Sequence, residues 1–112
     1  MRAALAATLL CLLSCPGFAA ETAVRTITLV RHGHYAADPQ ADAKLGPGLS
    51  VLGVAQARIA AARLRAESAS YDTIYASPLT RAQDTARLIV EAFPGAHIED
   101  LAQLDDLALA AP

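Results

Sequence analysis

Two short β-branched runs constrain this chain most, because each ends in a polar cluster that carries an arginine and each is followed by a helical pattern. Arg25 to Val30 (RTITLV) leads into Arg31-His32-Gly33-His34, and Tyr71 to Ala76 (YDTIYA) leads into Ser77-Pro78-Leu79-Thr80-Arg81. The alternating, β-branched pattern reads as strand in both. The first run is apolar on both faces at its end, which suits a strand buried in a parallel sheet. Strands that alternate with helices predict βαβ units and an α/β fold with a parallel sheet. Ligands in such sheets lie beyond the carboxyl ends of the strands. The pattern therefore brings Arg31, His32 and Arg81 to one place from distant parts of the chain.

The helical segments are bounded by clear signals. Ser50 is placed to cap a helix from about Val51 to Glu67. Val51, Ala55, Ile59 and Ala62 are expected to form its apolar stripe, with Arg58 and Arg65 elsewhere. Ser77-Pro78 opens a second helix that runs to about Phe93, with Leu79, Ala82, Ala86, Ile89, Val90 and Phe93 following the 3.6 period. Arg87 and Glu91 are expected to pair on its wet side. Pro94-Gly95 stops it, and a third strand is expected to begin at Ala96 to Ile98. His34 to Gly48 reads as a loop.

Residues 1–19 read as a secretory signal: Arg2, an uncharged run from Ala3 to Leu13, the break at Pro16-Gly17, and small residues at Gly17 and Ala19 for cleavage after Ala19. The run falls short of the roughly 20 apolar residues that a membrane span needs. Leu12-Leu13-Ser14-Cys15 resembles a bacterial lipobox, so acylation at Cys15 is the alternative route to a membrane. Both cysteines, Cys11 and Cys15, lie in this segment, and residues 20–112 need no disulfide. A periplasmic or secreted location is expected. The 112 residues allow one domain. A net charge of −2 and 4% aromatic residues give no basic face or stacking platform, so nucleic acid is not an expected partner.

The predicted cluster suits a phosphoryl group. Guanidinium groups bind its oxygens through paired, charge-assisted hydrogen bonds, and Arg31 and Arg81 supply them from two sides. His32 is the candidate nucleophile, since a neutral imidazole attacks phosphorus. Gly33, without a Cβ, allows close backbone approach. Ser77 and the first N–H groups of the second helix offer further anion contacts. Arg58, Arg63, Arg65, Arg87, Glu67 and Glu91 read as solvated helix faces, His97 as a strand-end or surface residue, and Thr85 as packing. Tyr35 lines the pocket mouth or covers the loop. His32-Gly33-His34 lacks the further ligands of a metal site, with only His97 left over, so neither metal nor cofactor is expected. Gly46, Gly48 and Gly53 do not have dinucleotide-binding spacing.

Three segments in order carry a resemblance to the histidine phosphatase (phosphoglycerate mutase-like) superfamily. Leu29-Val30-Arg31-His32-Gly33 resembles its RHG strand end. Leu49-Ser50-Val51-Leu52-Gly53-Val54-Ala55-Gln56-Ala57 is similar to its L-[ST]-x-x-G-x-x-Q-A helix start. Ser77-Pro78-Leu79-Thr80-Arg81-Ala82-Gln83-Asp84-Thr85-Ala86 is similar to its S-P-L-x-R-A-x-x-T-A segment. The resemblance implies a three-layer α/β/α fold and a phosphomonoester phosphatase acting through phospho-His32, with Arg31 and Arg81 as phosphate contacts. It also implies a phosphorylated small molecule or phosphoprotein as substrate, and no metal. Tyr35 and Ala37 stand where the acid phosphatase and phytase branch has Arg and Pro, which argues against that branch. An exported protein is also an unexpected glycolytic mutase. The second histidine of the family is not found, and Gln103 stands where the acid is expected, leaving Asp105 or Asp106 as acid candidates. Residues 20–112 thus read as the amino-terminal half of such a domain, and as a marginally stable or self-associating product. A non-catalytic phosphate-binding pseudoenzyme or inactive fragment is the alternative function.

Overall fold

A computed structural model describes Gly17, residues 19–67 and residues 70–106. Residues 1–19, expected to be a secretory signal, thus lie, apart from Gly17 and Ala19, outside the described residues, as do the carboxyl-terminal residues 107–112. Among the described residues no helix is long and apolar enough to cross a membrane. The ordered elements are α1 (Val51–Glu67), β1 (Thr73–Ala76), α2 (Thr80–Val90), β2 (His97–Asp100) and a closing 3₁₀ turn, Ala102–Asp106. Strands β1 and β2 pair in parallel, with Thr73 opposite His97 and Ala76 opposite Asp100. Helix α2 connects them, so β1-α2-β2 is one βαβ unit, and α1 packs against α2.

The ends of the helices are set by local chemistry. Ser50 caps α1 as its sequence position implies: its Oγ accepts the Gly53 N–H at 3.2 Å, and its carbonyl accepts the Val54 N–H at 2.9 Å. Helix α2 begins later than Ser77-Pro78 suggests. Leu79 is its N-cap and has no side-chain cap, and the Ser77 hydroxyl accepts the Leu79 N–H at 3.1 Å instead. After α2 the chain turns at Gly95, which has φ +92°, a value that favours glycine.

The core forms where α1 and α2 meet the sheet. Ala61, Ile89 and Phe93 are buried together, with Leu64, Tyr71, Ile74, Ala92 and Ala96 around them. Phe93 is the largest fully buried side chain. It meets Tyr71 edge to face at 4.9 Å between centroids, a favoured aromatic geometry. The expected apolar face of α2 is the one that packs, with Ala86, Ile89 and Phe93 buried.

Three expectations are corrected. On α1, the buried residues are Gly53, Ala57 and Ala61, while Val51 and Ile59 are 90% and 62% exposed, and Ala55 and Ala62 are exposed too. The seam is made of small residues four apart, which let the α1 backbone approach its neighbours. Size, not hydropathy, selected the face. Second, residues 25–30 form no strand and are exposed throughout. Ile27 and Leu29 are more than three-quarters exposed, and the contact of this run with the sheet region is a 3.0 Å hydrogen bond between the Thr28 and Tyr71 hydroxyls. A β-branched pattern fits a pleated surface, but a strand exists only when a ladder partner satisfies its backbone. Third, Arg87 pairs with Asp84 at 2.9 Å, one turn back, rather than with Glu91.

Since Phe93 joins both helices to the sheet, Phe93→Ala is expected to cost about 3–5 kcal/mol. Chemical denaturation followed by far-ultraviolet circular dichroism measures this. A loss under 1 kcal/mol would mean the core lies elsewhere.

Candidate functional site

The turn Arg31-His32-Gly33-His34 sits directly on the first turn of α1. A Cβ on Gly33 would stand 2.5 Å from the Gly53 carbonyl oxygen and 2.9 Å from its Cα. A Cβ on Gly53 would run into the His34 backbone. Both glycines are therefore required by each other's backbone, so the reason for Gly33 is its contact with α1. Four further bonds hold the turn there. The His34 N–H donates to Gln56 Oε1 at 2.8 Å. The His34 carbonyl accepts both the Ser50 N–H at 3.0 Å and the Ser50 hydroxyl at 3.1 Å. His34 Nδ1 lies 2.7 Å from that same hydroxyl.

His32 is half-buried on this turn, and its tautomer follows from its two partners. Nδ1 is 2.9 Å from the Gly33 carbonyl, which can only accept, so Nδ1 carries the proton. Nε2 is 3.3 Å from Nε of Arg81, which can only donate, so Nε2 keeps its lone pair. Such a neutral imidazole, its outer nitrogen unprotonated and its inner one fixed by a carbonyl, is the form that attacks an electrophile.

Arg81 is held from several sides. Its guanidinium carbon lies 4.5 Å from the centroid of the Tyr35 ring, within cation–π range, and Tyr35 meets the His32 ring edge to face at 5.5 Å. The loop from Asp42 to Gly48 covers it: Gly46, at φ +73°, leaves 3.1 Å between a would-be Cβ and Nη1 of Arg81. That loop is shaped by Asp42, whose carboxylate accepts the N–H groups of Leu45 at 2.7 Å and Lys44 at 2.8 Å. These bonds, that to Leu45 foremost, hold the Asp42 carboxyl below its ordinary pKa. The loop docks on α2 through the Leu45 carbonyl, which accepts the Thr80 N–H at 3.0 Å.

Among the described residues neither Arg31 nor Arg81 has a carboxylate partner. Arg31 lines a cleft of about 440 Å³ with His32, Gly33, His34, Tyr35, Gln56, Ala57 and Ala60. The Arg81 guanidinium group, without a counter-charge and beside an unprotonated ring nitrogen, suits an anion with an electrophilic centre, while Arg31 stands exposed at the cleft. Among the described residues no group of three His, Cys, Asp or Glu side chains is placed to hold a metal ion.

Ser77 and the start of α2 are placed differently from the sequence expectation. Ser77 is 7% exposed, and its hydroxyl donates to Asp105 while accepting the Leu79 N–H. The Leu79 N–H is thus taken by Ser77, and the Thr80 N–H by the Leu45 carbonyl. Asp105, one of the two acid candidates, is the partner of Ser77. His97 begins β2, is exposed, and pairs with Glu99 at 2.8 Å.

Two contributors escaped the sequence reading. Gln56 fixes the His34 peptide, and Thr85, read as packing, accepts the Gly33 N–H at 3.1 Å. Both belong to the motif segments, and that membership was the signal available for either.

The Histidine phosphatase superfamily (branch 1) matches residues 27–111 of the chain. A 2,3-bisphosphoglycerate-dependent phosphoglycerate mutase of Azorhizobium caulinodans is 41% identical over 75 residues, which is 60% of this chain and 34% of that protein. A protein of the same name from Methylobacterium sp. is 49% identical over 45 residues, 40% of this chain and 22% of that one. This chain thus spans about a third or less of the length of these relatives. Among solved structures, SixA of Agrobacterium tumefaciens, a candidate phosphohistidine phosphatase, superimposes with a TM-score of 0.58 at 26% identity, over 66% of this chain and 48% of that one.

The seating of the turn makes a prediction. Gly53→Ala is expected to destabilise the chain by about 1–3 kcal/mol, as overpacking does, and to shift the His34 amide resonance. An unchanged denaturation midpoint and amide spectrum would show that the two backbones are not in contact.

Proposed function

Since this chain belongs to the histidine phosphatase superfamily, branch 1, we propose that it is a phosphomonoester phosphatase acting through a phosphohistidine on His32. The observation that carries the reading is the contact between Arg81 and Nε2 of His32, which leaves a lone pair beside a guanidinium group. In the first step Nε2 attacks phosphorus in line. The nitrogen–phosphorus bond forms as the bond to the ester oxygen breaks, and the departing alkoxide takes a proton from water to leave as the alcohol. As Nε2 becomes bonded to phosphorus, the Nε–H of Arg81 turns from nitrogen to a phosphoryl oxygen, and Arg31 neutralises another. Water then attacks phosphorus, inorganic phosphate leaves, and Nε2 regains its lone pair. Nδ1–H stays on the Gly33 carbonyl throughout and stabilises the ring as it gains positive character.

The substrate is a phosphorylated small molecule or a phosphoprotein, and the SixA neighbour is named for phosphohistidine. The mutase names of the other relatives point to transfer onto a sugar acid instead of water. We favour hydrolysis because residues 1–19 have the composition of an export signal, and phosphorylated glycolytic acids are intracellular. Export to the periplasm or beyond, with cleavage after Ala19, belongs to the same proposal.

Turnover of p-nitrophenyl phosphate by the full chain is the test. His32→Ala is expected to abolish turnover and the acid-labile phosphoenzyme. Arg81→Ala is expected to lower kcat about 10²–10³-fold, as loss of one transition-state donor does. Equal turnover by His32→Ala would overturn the reading. Phosphate binding that Arg81→Ala removes, in a chain without turnover, would favour a binding module. A mature amino terminus at Ala20 in the exported fraction is expected, and an uncleaved Met1 terminus in the cytosol would overturn the export proposal.

A further inference from the structure

We propose that Thr85 is a positioning residue that sets the distance between His32 and Arg81, an inference that rests on the phosphatase reading only for its kinetic consequence. Thr85 is 4% exposed, and its hydroxyl joins the two halves of the site. Its proton goes to the Arg81 carbonyl at 2.8 Å, and its oxygen accepts the Gly33 N–H at 3.1 Å. Both directions are fixed, because a carbonyl only accepts and a backbone amide only donates.

A threonine hydroxyl in a helix commonly bonds to the carbonyl four residues back and gains little by it. Here that local bond has a further consequence: it locks the rotamer, so that the remaining lone pair faces the turn that carries His32. The partner it finds is the peptide unit between His32 and Gly33. Arg81, one helical turn before Thr85, supplies both the carbonyl that locks the hydroxyl and the Nε–H that reaches Nε2 of His32. The ring and the guanidinium group are thus referred to one hydroxyl. The Gly33 N–H is buried against Gly53, so without Thr85 it would lose its only recorded acceptor among the described residues. A buried amide left unpaired is costly, and the turn would move to find another partner, taking His32 with it.

Nothing else described ties the His32 peptide to α2. Gln56 and Ser50 hold the following residue, His34, but both belong to α1. They fix the turn relative to the wrong helix for spacing His32 from Arg81. Thr85 supplies the missing reference.

The test compares Thr85→Val, which keeps the shape and loses the hydroxyl, with Thr85→Ser, which keeps the hydroxyl, in the full chain. Nuclear magnetic resonance reads the solvent exchange of the Arg81 Nε–H. Slow exchange is expected in the wild type and in Thr85→Ser, and exchange as fast as that of an exposed arginine in Thr85→Val. On p-nitrophenyl phosphate, Thr85→Val is expected to lose about ten- to a hundredfold in kcat, the scale of a small misplacement, with KM little changed and with Thr85→Ser restoring most of it. A purely structural role would lower Tm in Thr85→Val and leave Arg81 exchange at the wild-type rate; that result overturns the proposal. The His32→Ala control reports separately on the phosphatase reading, and the exchange measurement decides the role of Thr85 whichever way that control falls. Should Thr85→Val not fold, the Gly33 amide of the wild type decides: protection supports the proposal, and free exchange overturns it.

Discussion

The site depends on a contact between two backbones. Gly33 and Gly53 press the RHG turn onto the first turn of α1 with no side chain between them. Interiors are packed too densely to absorb an added methyl group without movement, so the contact defines a single position for the turn. The bonds from Gln56 and Ser50 to His34 are possible only at that separation. The His32 ring, fixed by the carbonyl of Gly33, inherits the same precision. A side chain at either glycine would reach the chemistry indirectly, by lifting the turn from its seat.

The second helix brings the charge. Arg81 is fixed by an aromatic face, a ring nitrogen and a covering loop, none of which neutralises it. A carboxylate would have positioned the side chain equally well and cancelled its field. Positioning by uncharged groups leaves the guanidinium group attractive to an anion, and a low-dielectric surrounding strengthens that attraction. The Asp42 carboxylate, in the covering loop, is turned toward its own backbone N–H groups. That arrangement shapes the loop. Those bonds are present once Asp42 ionises and are lost as pH falls through its lowered pKa.

Legibility in the sequence followed the range of the interactions concerned. The bounds of α1 could be read because Ser50 and its cap are adjacent in the chain, and the packed face of α2 because its large apolar residues recur at the helical period. The face of α1 was misread for a physical reason: Val51 and Ile59 carry the hydropathy, whereas the close approach of backbones selected Gly53, Ala57 and Ala61. Residues 25–30 carry strand propensity, but pairing is a property of the partner. In the site, the convergence of His32 and Arg81 followed from βαβ logic and from the motif order. The parts played by Gln56 and Thr85 did not, because their bonds span 22 and 52 residues and neither residue type advertises a role. Ser77 was legible as part of a motif, but its contacts within the protein were not. Its burial turns the hydroxyl toward Asp105 and the helix start.

The assembly also explains how a site can be formed while the run leading into it is exposed. In a doubly wound sheet the strand ahead of a ligand loop usually carries that loop. Here the turn is carried by α1 through its backbone seat and by α2 through Thr85, and α2 is itself fastened to the sheet. Gln83 bonds both the Ser77 carbonyl and Asp100, each at 2.9 Å, which ties the carboxyl ends of β1 and β2 to the helix. The Leu101 N–H closes the same corner on the Ala76 carbonyl at 2.8 Å. Force on Arg81 therefore passes into the sheet through Gln83 and Ser77, while force on His32 passes into α1. The two routes meet at Thr85 and at the α1–α2 seam. The spacing between His32 and Arg81 is thus a property of helix packing, and among the described residues the run 25–30 adds to it the chain connection at Arg31 and the bond between the Thr28 and Tyr71 hydroxyls.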